Sequence, residues 1–305
     1  MSEPTGSTPV ELLRALAALA EPPTPKHRRL AEVVGLRGTP DASSYSDIFL
    51  FQLYPYASVH LGAEGMLGGE TRDRIAGFWR AVGQVPPAEP DHLSALVGLY
   101  ASLSERAGAG VDAEGVLVGE SRAALLHEHI APWVFSFLGR VGELATGVYA
   151  EWAELLSKTL RAELAAGGHR PTAVLPVHLR LAPPLPDPRQ GGGDHFIAGL
   201  LAPARSGMIV TRADLARFAN ALRLGLRAGE RRYALEHLLG QEPAPVLSAL
   251  AEEARRQGGE HEARGEWLGD TAGFFVQRAR LTADLLEELA AAARAPGRAS
   301  VAVPP

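Results

Sequence analysis

The residues best equipped for chemistry lie in two short polar clusters, Glu-Pro-Asp-His at 89–92 and Glu-His-Ile-Ala-Pro-Trp at 128–133. A carboxylate beside an imidazole can pass a proton near neutral pH, so Asp91 and His92 are a candidate acid–base pair for a small-molecule pocket. Carboxylates next to apolar aromatic surface can instead hold a cationic partner, through charge-assisted bonds to guanidinium groups. The plainest role is helix capping: Glu89 and Asp91 precede an apolar run, and Pro90 suits a first helical turn. Metal binding fits the spacing poorly. On a helix His127 and His129 point roughly 200° apart, whereas a metalloprotease helix sets two histidines four apart. Asp91 and His92 diverge as neighbours, and Asp194-His195 stand in a glycine-rich loop with no further ligand spaced nearby.

Composition narrows the alternatives. A chain of 305 residues, 46% hydrophobic, can bury a large core. Its net charge of −5 and pI near 6.1 argue against broad nucleic-acid binding, which needs a basic surface to displace counterions. There is no cysteine, which excludes disulfides, thiol catalysis, thiolate zinc sites and protein-held iron–sulfur clusters. The first residues, MSEPTGST, lack the basic-then-apolar pattern of a secretory signal, and no run approaches the roughly 20 apolar residues of a membrane span. A cytoplasmic location is the expectation. Phosphate-binding and nucleophile-elbow patterns are missing as well; AGAG at 107–110 follows a helical stretch instead of a strand.

The elements that must position the two clusters read as helices. Apolar residues recur at helical period over 10–20, 24–36 and 45–62, where Pro55 should end or bend the helix. Residues 71–83 begin with Thr71 as a cap and set Ile75, Phe78 and Trp79 on one face. A helix opening at Glu89 carries Leu93, Leu96, Val97, Tyr100 and Leu103 in one stripe. Residues 113–142 form a long helix kinked at Pro132, and 148–165 another with Tyr149, Trp152, Leu156 and Leu160. His129 and Trp133, four apart, share a face beside that kink.

From 167 to 195 proline and glycine dominate, with at most one short strand-like piece, so this stretch reads as a connector. Helical pattern resumes over 211–240, 243–259 and 267–297, before a tail at 298–305 that reads as disordered. Within the return, Arg205-Ser206-Gly207 makes a turn ahead of a helix capped by Thr211; a helix N-terminus beside Arg205 is a place for a phosphate or carboxylate. The chain is therefore all-α, with a first helical domain at 1–166, the connector, and a C-terminal helical extension at 196–297.

EPDHL at the head of one apolar helix, followed by EHIAPWVFSFL on the next long one, resembles the paired signature of the TorD/DmsD/NarJ redox-enzyme maturation chaperones, the nitrate reductase delta-subunit superfamily. YPYASVHLGAEGMLGGETRDRIAGFWRAVG resembles the stretch ahead of that signature in a TorD-like branch, and the likeness covers about residues 45 to 165. It implies a TorD-like helical bundle, here with an additional C-terminal block, and a chaperone with neither catalytic residues nor a cofactor or metal of its own.

The implied partner is the precursor of a molybdenum or tungsten oxidoreductase catalytic subunit. Its twin-arginine signal peptide or N-terminal segment would be held until the molybdopterin cofactor is inserted, by a monomer or a dimer. Carried over by position, Glu89, Pro90, Asp91, His92, His129, Pro132 and Trp133 would line or brace the binding surface. Tyr54, Tyr56, Met66, Phe78, Trp79 and Trp133 would supply its apolar part. Glu89, Asp91 and Glu128 would meet the arginines. The chain departs from shorter members by more than a hundred residues beyond the connector. Two other readings stand beside this one: an enzyme or regulator using the Asp91–His92 pair, and a structural subunit of the oxidoreductase complex.

Overall fold

A computed structural model describes residues 9–109, 113–167 and 175–295. The tail at 298–305 and residues 168–174 of the Pro/Gly stretch lie outside them. The first half holds α1 (Pro9–Ala18), α2 (Pro25–Val33) and α3 (Ala42–Tyr45), which widens into a π-turn at Ser46–Leu50. Then come α4 (Ala57–Leu61), α5 (Gly69–Ala81) and α6 (Leu93–Ala109). Next, α7 (Ala113–Ala124) passes through a second π-turn, Leu125–Ile130, into α8 (Ala131–Leu144), followed by α9 (Val148–Ala166).

The second half holds four short helices, α10 (Val177–Leu181), α11 (Pro188–Gly191), α12 (Gly193–Leu200) and α13 (Pro203–Ser206). After them come α14 (Arg212–Leu222), α15 (Arg231–Gln241), α16 (Pro243–Ala263), α17 (Gly265–Leu268) and α18 (Asp270–Arg294). No strand occurs among the described residues, and the one isolated β-bridge joins Tyr56 to His92. The all-α expectation is met.

Several local expectations are corrected. The helix anticipated over 45–62 is split: the chain leaves its π-turn at Phe51 and restarts only at Ala57, beyond Pro55. Thr71 is not a cap but a buried residue inside α5, whose N-cap is Gly68. The helix anticipated from Glu89 starts at Leu93, leaving the cluster as a turn. No strand forms in the described part of the connector; Val177–Leu181 is helical. Residues 211–240 form two helices, because Arg223 turns left-handed after α14. Pro132 behaves as its chemistry requires. It stands in the first turn of α8, where its missing N–H is spare, and the preceding turn widens to a π-turn.

The larger core gathers α1, the first π-turn, α6, α8 and α9 around Phe49. The Phe49 ring lies 5.1 Å from Tyr45, 5.2 Å from Tyr149, 5.6 Å from Trp152 and 6.2 Å from Phe137. A second core is built by α12, α14, α15 and the long antiparallel pair α16 and α18. Residues after α12 also enter the first core, through Ala204, Ile209 and Phe275, and Trp267 packs edge-on against Phe135 at 4.5 Å. Gly207 permits this closeness. With φ of +75° and a Cβ that would fall 2.3 Å from the Ala279 nitrogen, only glycine fits there.

Candidate functional site

Helix α5 brings the two polar clusters together. Its neighbouring aromatics each touch one of them: the Phe78 ring lies 5.0 Å from that of His129, and Trp79 Nε1 donates to the Pro90 carbonyl at 3.2 Å. Both side chains are half-buried.

Each cluster then does the same job for a short helix from elsewhere in the chain. Asp91 Oδ2 accepts from the Ser58 N–H at 3.1 Å, in the first turn of α4, and the Asp91 carbonyl accepts from Ala57 N at 2.9 Å. The His92 ring stands edge-on to Tyr56, the residue before α4, at 4.8 Å, and the Tyr56 hydroxyl donates to Glu89 at 2.8 Å. In the second cluster Glu128 Oε2 accepts from Val177 N at 3.1 Å, the first residue of α10. His129 Nδ1 then lies 3.0 Å from Nε2 of His178 on the same helix. An acid satisfies free N–H groups at a helix start, and the next histidine meets a ring beside it.

This arrangement changes the expected roles. Asp91 is 2% exposed, and it and Glu128 already hold backbone N–H groups of the chain itself, so neither stands free for an outside arginine. Glu89 is exposed, with Tyr56 as its partner. Asp91 and His92 share no hydrogen bond. The His92 Nδ1 atom instead lies 2.7 Å from Ser94 Oγ and 3.6 Å from Glu21. Burial pulls the His92 pKa below its ordinary value, against the raising effect of Glu21, Glu89 and Asp91. The geometry assembles no Asp91–His92 proton relay.

Trp133 and Pro132 are buried too, and they line no open surface. The Trp133 indole stacks on His60 at 5.0 Å and 9°, and its Nε1 donates to the His129 carbonyl at 2.8 Å. Over it lie Pro203, Gly207, Met208, Ile209, His261 and Phe275, leaving a cavity of about 10 Å³. That is room for no more than one water. The chain's own C-terminal half covers the place where a trough was expected.

An open cleft lies to one side, between the loop that follows α4 and helix α10. It has a volume of about 150 Å³, and Leu61, Met66, Thr71, Arg74, His178 and Leu181 are among its walls. Met66 and Leu181 are 67% and 58% exposed, with Leu67 close behind, and Glu64 and Glu70 add carboxylates. Glu70 pairs with Arg74. Of the apolar residues anticipated for binding, Met66 alone reaches this cleft; Tyr54 and Tyr56 are half-buried away from its walls.

His178, only 2% exposed, borders the cleft, and its Nδ1 atom has no hydrogen-bond partner. Burial pushes the His129 pKa down to about 3, helped by the charge of a protonated His178. Burial, then the nearby Arg74 charge, takes His178 down to about 4. Both imidazoles are therefore neutral at physiological pH, sharing one N–H between them.

His60, His178 and Ser58 were missed from the sequence. One signal was available: both short helices carry Val-His-Leu, at 59–61 and 177–179. Also missed was a buried ion cluster. Arg140 on α8, 2% exposed, pairs with Asp214 on α14 at 2.6 Å and also with Glu143, while Glu253 on α16 lies 3.8 Å away. Arg217 and Arg256 close the ring around Glu253 at 2.9 and 2.7 Å.

Fold and site define a helical protein whose polar motifs hold short helices in place around an open, acid-rimmed apolar cleft. Residues 39–139, roughly a third of the chain, match the family described as nitrate reductase delta subunit. Over this region the chain is similar to that NarJ/TorD-like family, a family of redox-enzyme maturation chaperones. Neither a curated protein nor a solved structure matched. The matched stretch spans α4, α5, α6 and both polar clusters, and ends inside α8. No helix among the described residues is long and apolar enough to cross a membrane.

Proposed function

We propose that the chain is a cytoplasmic chaperone that grips the signal peptide or N-terminal segment of a molybdopterin oxidoreductase catalytic subunit until its cofactor is in place. The cleft between the 62–70 loop and α10 is the gripping surface. The observation that carries this is the exposed rim of Met66, Leu67 and Leu181 beside Glu64 and Glu70, with the second family motif directly behind it through His129 and His178. A twin-arginine signal offers an apolar run next to two guanidinium groups. Exposed apolar rims mark interaction sites, methionine adapts its shape to varied side chains, and carboxylates pair with arginine.

In this reading Asp91, His92, Glu128, His129, Pro132 and Trp133 act behind the surface, fixing α4 and α10 as its two walls. The test is fluorescence anisotropy of a labelled twin-arginine peptide against the full chain. Met66→Glu and Leu181→Glu, both at exposed positions, should weaken capture about tenfold or more, the loss of one well-placed apolar contact plus an unpaired charge. Glu64→Lys should weaken it further at low salt than at high salt. Equal affinity across wild type and these variants refutes the assignment of this surface.

A further inference from the structure

Helix α13 crosses α18 at Gly207, whose absent Cβ lets the backbone reach Arg278 and Ala279. That crossing sets two arginines against one extended strap, residues 182–186. Arg278 Nη2 donates to the Ala182 carbonyl at 2.7 Å. Arg205 donates to the Pro184 carbonyl through Nη2 at 3.2 Å and Nε at 3.4 Å. Gly199 on α12 leaves room for the second guanidinium: a Cβ there would lie 2.8 Å from Pro186 Cδ and 3.3 Å from Arg205 Cζ. The Arg278 guanidinium also lies over the Phe274 ring, 4.9 Å from its centre.

Both arginines are half-buried, and neither makes an ion pair with any described residue. Several other arginines in this half of the molecule have carboxylates, Arg217 with Asp214 and Glu253, Arg232 with Asp194 and Glu236, Arg256 with Glu253 and Glu260, while Arg231 donates to the Val210 carbonyl at 2.9 Å. The acids that flank the strap and α18, Asp187 and Glu288, are both taken by Arg189, at 2.7 and 3.1 Å. Burial lowers the pKa of each arginine, and the Arg205 charge lowers that of Arg278 further. Two like charges brought near each other while partly shielded from water repel, and an anion beside both offsets that repulsion.

We propose that Arg205 and Arg278 form a binding site for a phosphate group. Carbonyls two residues apart on an extended strap are roughly 6–7 Å apart. Guanidinium groups bonded to those carbonyls lie near enough for the Arg205 charge to act on Arg278, and an oxyanion placed between them would accept from both at about 2.8 Å. Arg205 Nη1 and Arg278 Nε and Nη1 make no bond to the strap and are the donors for it. The helix start suggested by the sequence is not the site, because Thr211 and Asp214 already cap α14 and Gln52 accepts from Ala213 N at 3.0 Å.

The experiment titrates the full chain, in phosphate-free buffer at fixed ionic strength, with sodium phosphate in one arm and sodium acetate in the other. Thermal unfolding and the arginine Nε–H NMR resonances are the readouts. Phosphate should raise the Tm saturably and shift two arginine Nε–H signals, with little response to acetate. Arg205→Gln and Arg278→Gln should each abolish the gain in Tm. No saturable response in wild type, an equal response to acetate, or a response kept by either variant overturns the site. If a variant does not fold, the wild-type resonances alone decide, since they must move together with one midpoint.

Discussion

His129 Nδ1 stands 3.0 Å from His178 Nε2, and this contact ties the second polar cluster to a helix 49 residues further along the chain. It fixes α10 as one wall of the open cleft and sets one ring, with an unbonded Nδ1, at the edge of that cleft. A substitution here therefore acts on stability and on the cleft at once. His178→Ala leaves His129 Nδ1 buried without a partner, which costs about 1–3 kcal/mol. Urea unfolding should show a lower midpoint with an unchanged m-value. A change below about 0.5 kcal/mol would mean the pair contributes nothing net.

Acid should loosen the protein before its carboxylates titrate. Burial holds His60, His178 and His261 near a pKa of about 4 and His129 near about 3, all below the ordinary 6.5. Such a group binds its proton more readily in the unfolded chain. Stability is therefore full above about pH 6.5 and falls as the pH drops from there towards 4, by up to about 1.4 kcal/mol per histidine for each unit. The buried Asp214 carboxyl, held below its usual range by Arg140 and Thr211 despite burial, adds its own loss only at lower pH. Circular dichroism melts at pH 7, 6, 5 and 4 should show a steady decline in Tm. A flat profile down to pH 5 would contradict the neutral, buried state of these rings.

The carboxylate of Asp91 holds the start of α4 through Ser58 N. Asp91→Ala should cost about 1–2 kcal/mol, the range for a lost helix cap, and Asp91→Asn, which keeps an acceptor, should cost less. Hydrogen exchange at Ser58 should quicken in both variants. Unchanged exchange at Ser58 in Asp91→Ala would show that the cap is not needed to order α4.

Arg140 links α8 to the C-terminal helices through Asp214, a contact between residues 74 apart. Arg140→Met removes the buried cation between Asp214 and Glu253, leaving them only the more exposed Arg217 as a shared partner, and should cost about 3–5 kcal/mol. The double variant Arg140→Met, Asp214→Asn should recover a good part of that, because it removes the stranded charge as well. Additive losses in the two-variant cycle would show that the pair is not coupled.

Some of this was legible in the chain itself. Apolar residues at helical spacing, as in Leu93, Leu96, Val97, Tyr100 and Leu103, announce a helix with one buried face, and all five are buried in α6. The interruption of the long helix beside Pro132, where α8 begins at Ala131, follows from the missing N–H of proline. The order of the two polar clusters was enough to suggest the family. Other local signals misled. Thr71 looked like a cap, yet the chain begins that helix at Gly69 and buries Thr71 against the loop after α4. Trp133 looked like a groove residue, yet His60 and the segment around Met208 close over it.

The chain alone determined the helical class, the two motifs and the kinds of side chain they present, because periodicity and proline chemistry act over a few neighbouring residues. Which group each motif side chain meets was decided only in three dimensions. Asp91 meets Ser58 across 33 positions, and His129 meets His178 across 49. A helical stripe says that a face must leave water; it does not say which surface will cover it. Packing made that choice, turning residues read as ligand contacts into internal braces and leaving the open cleft to Met66, Leu67 and Leu181.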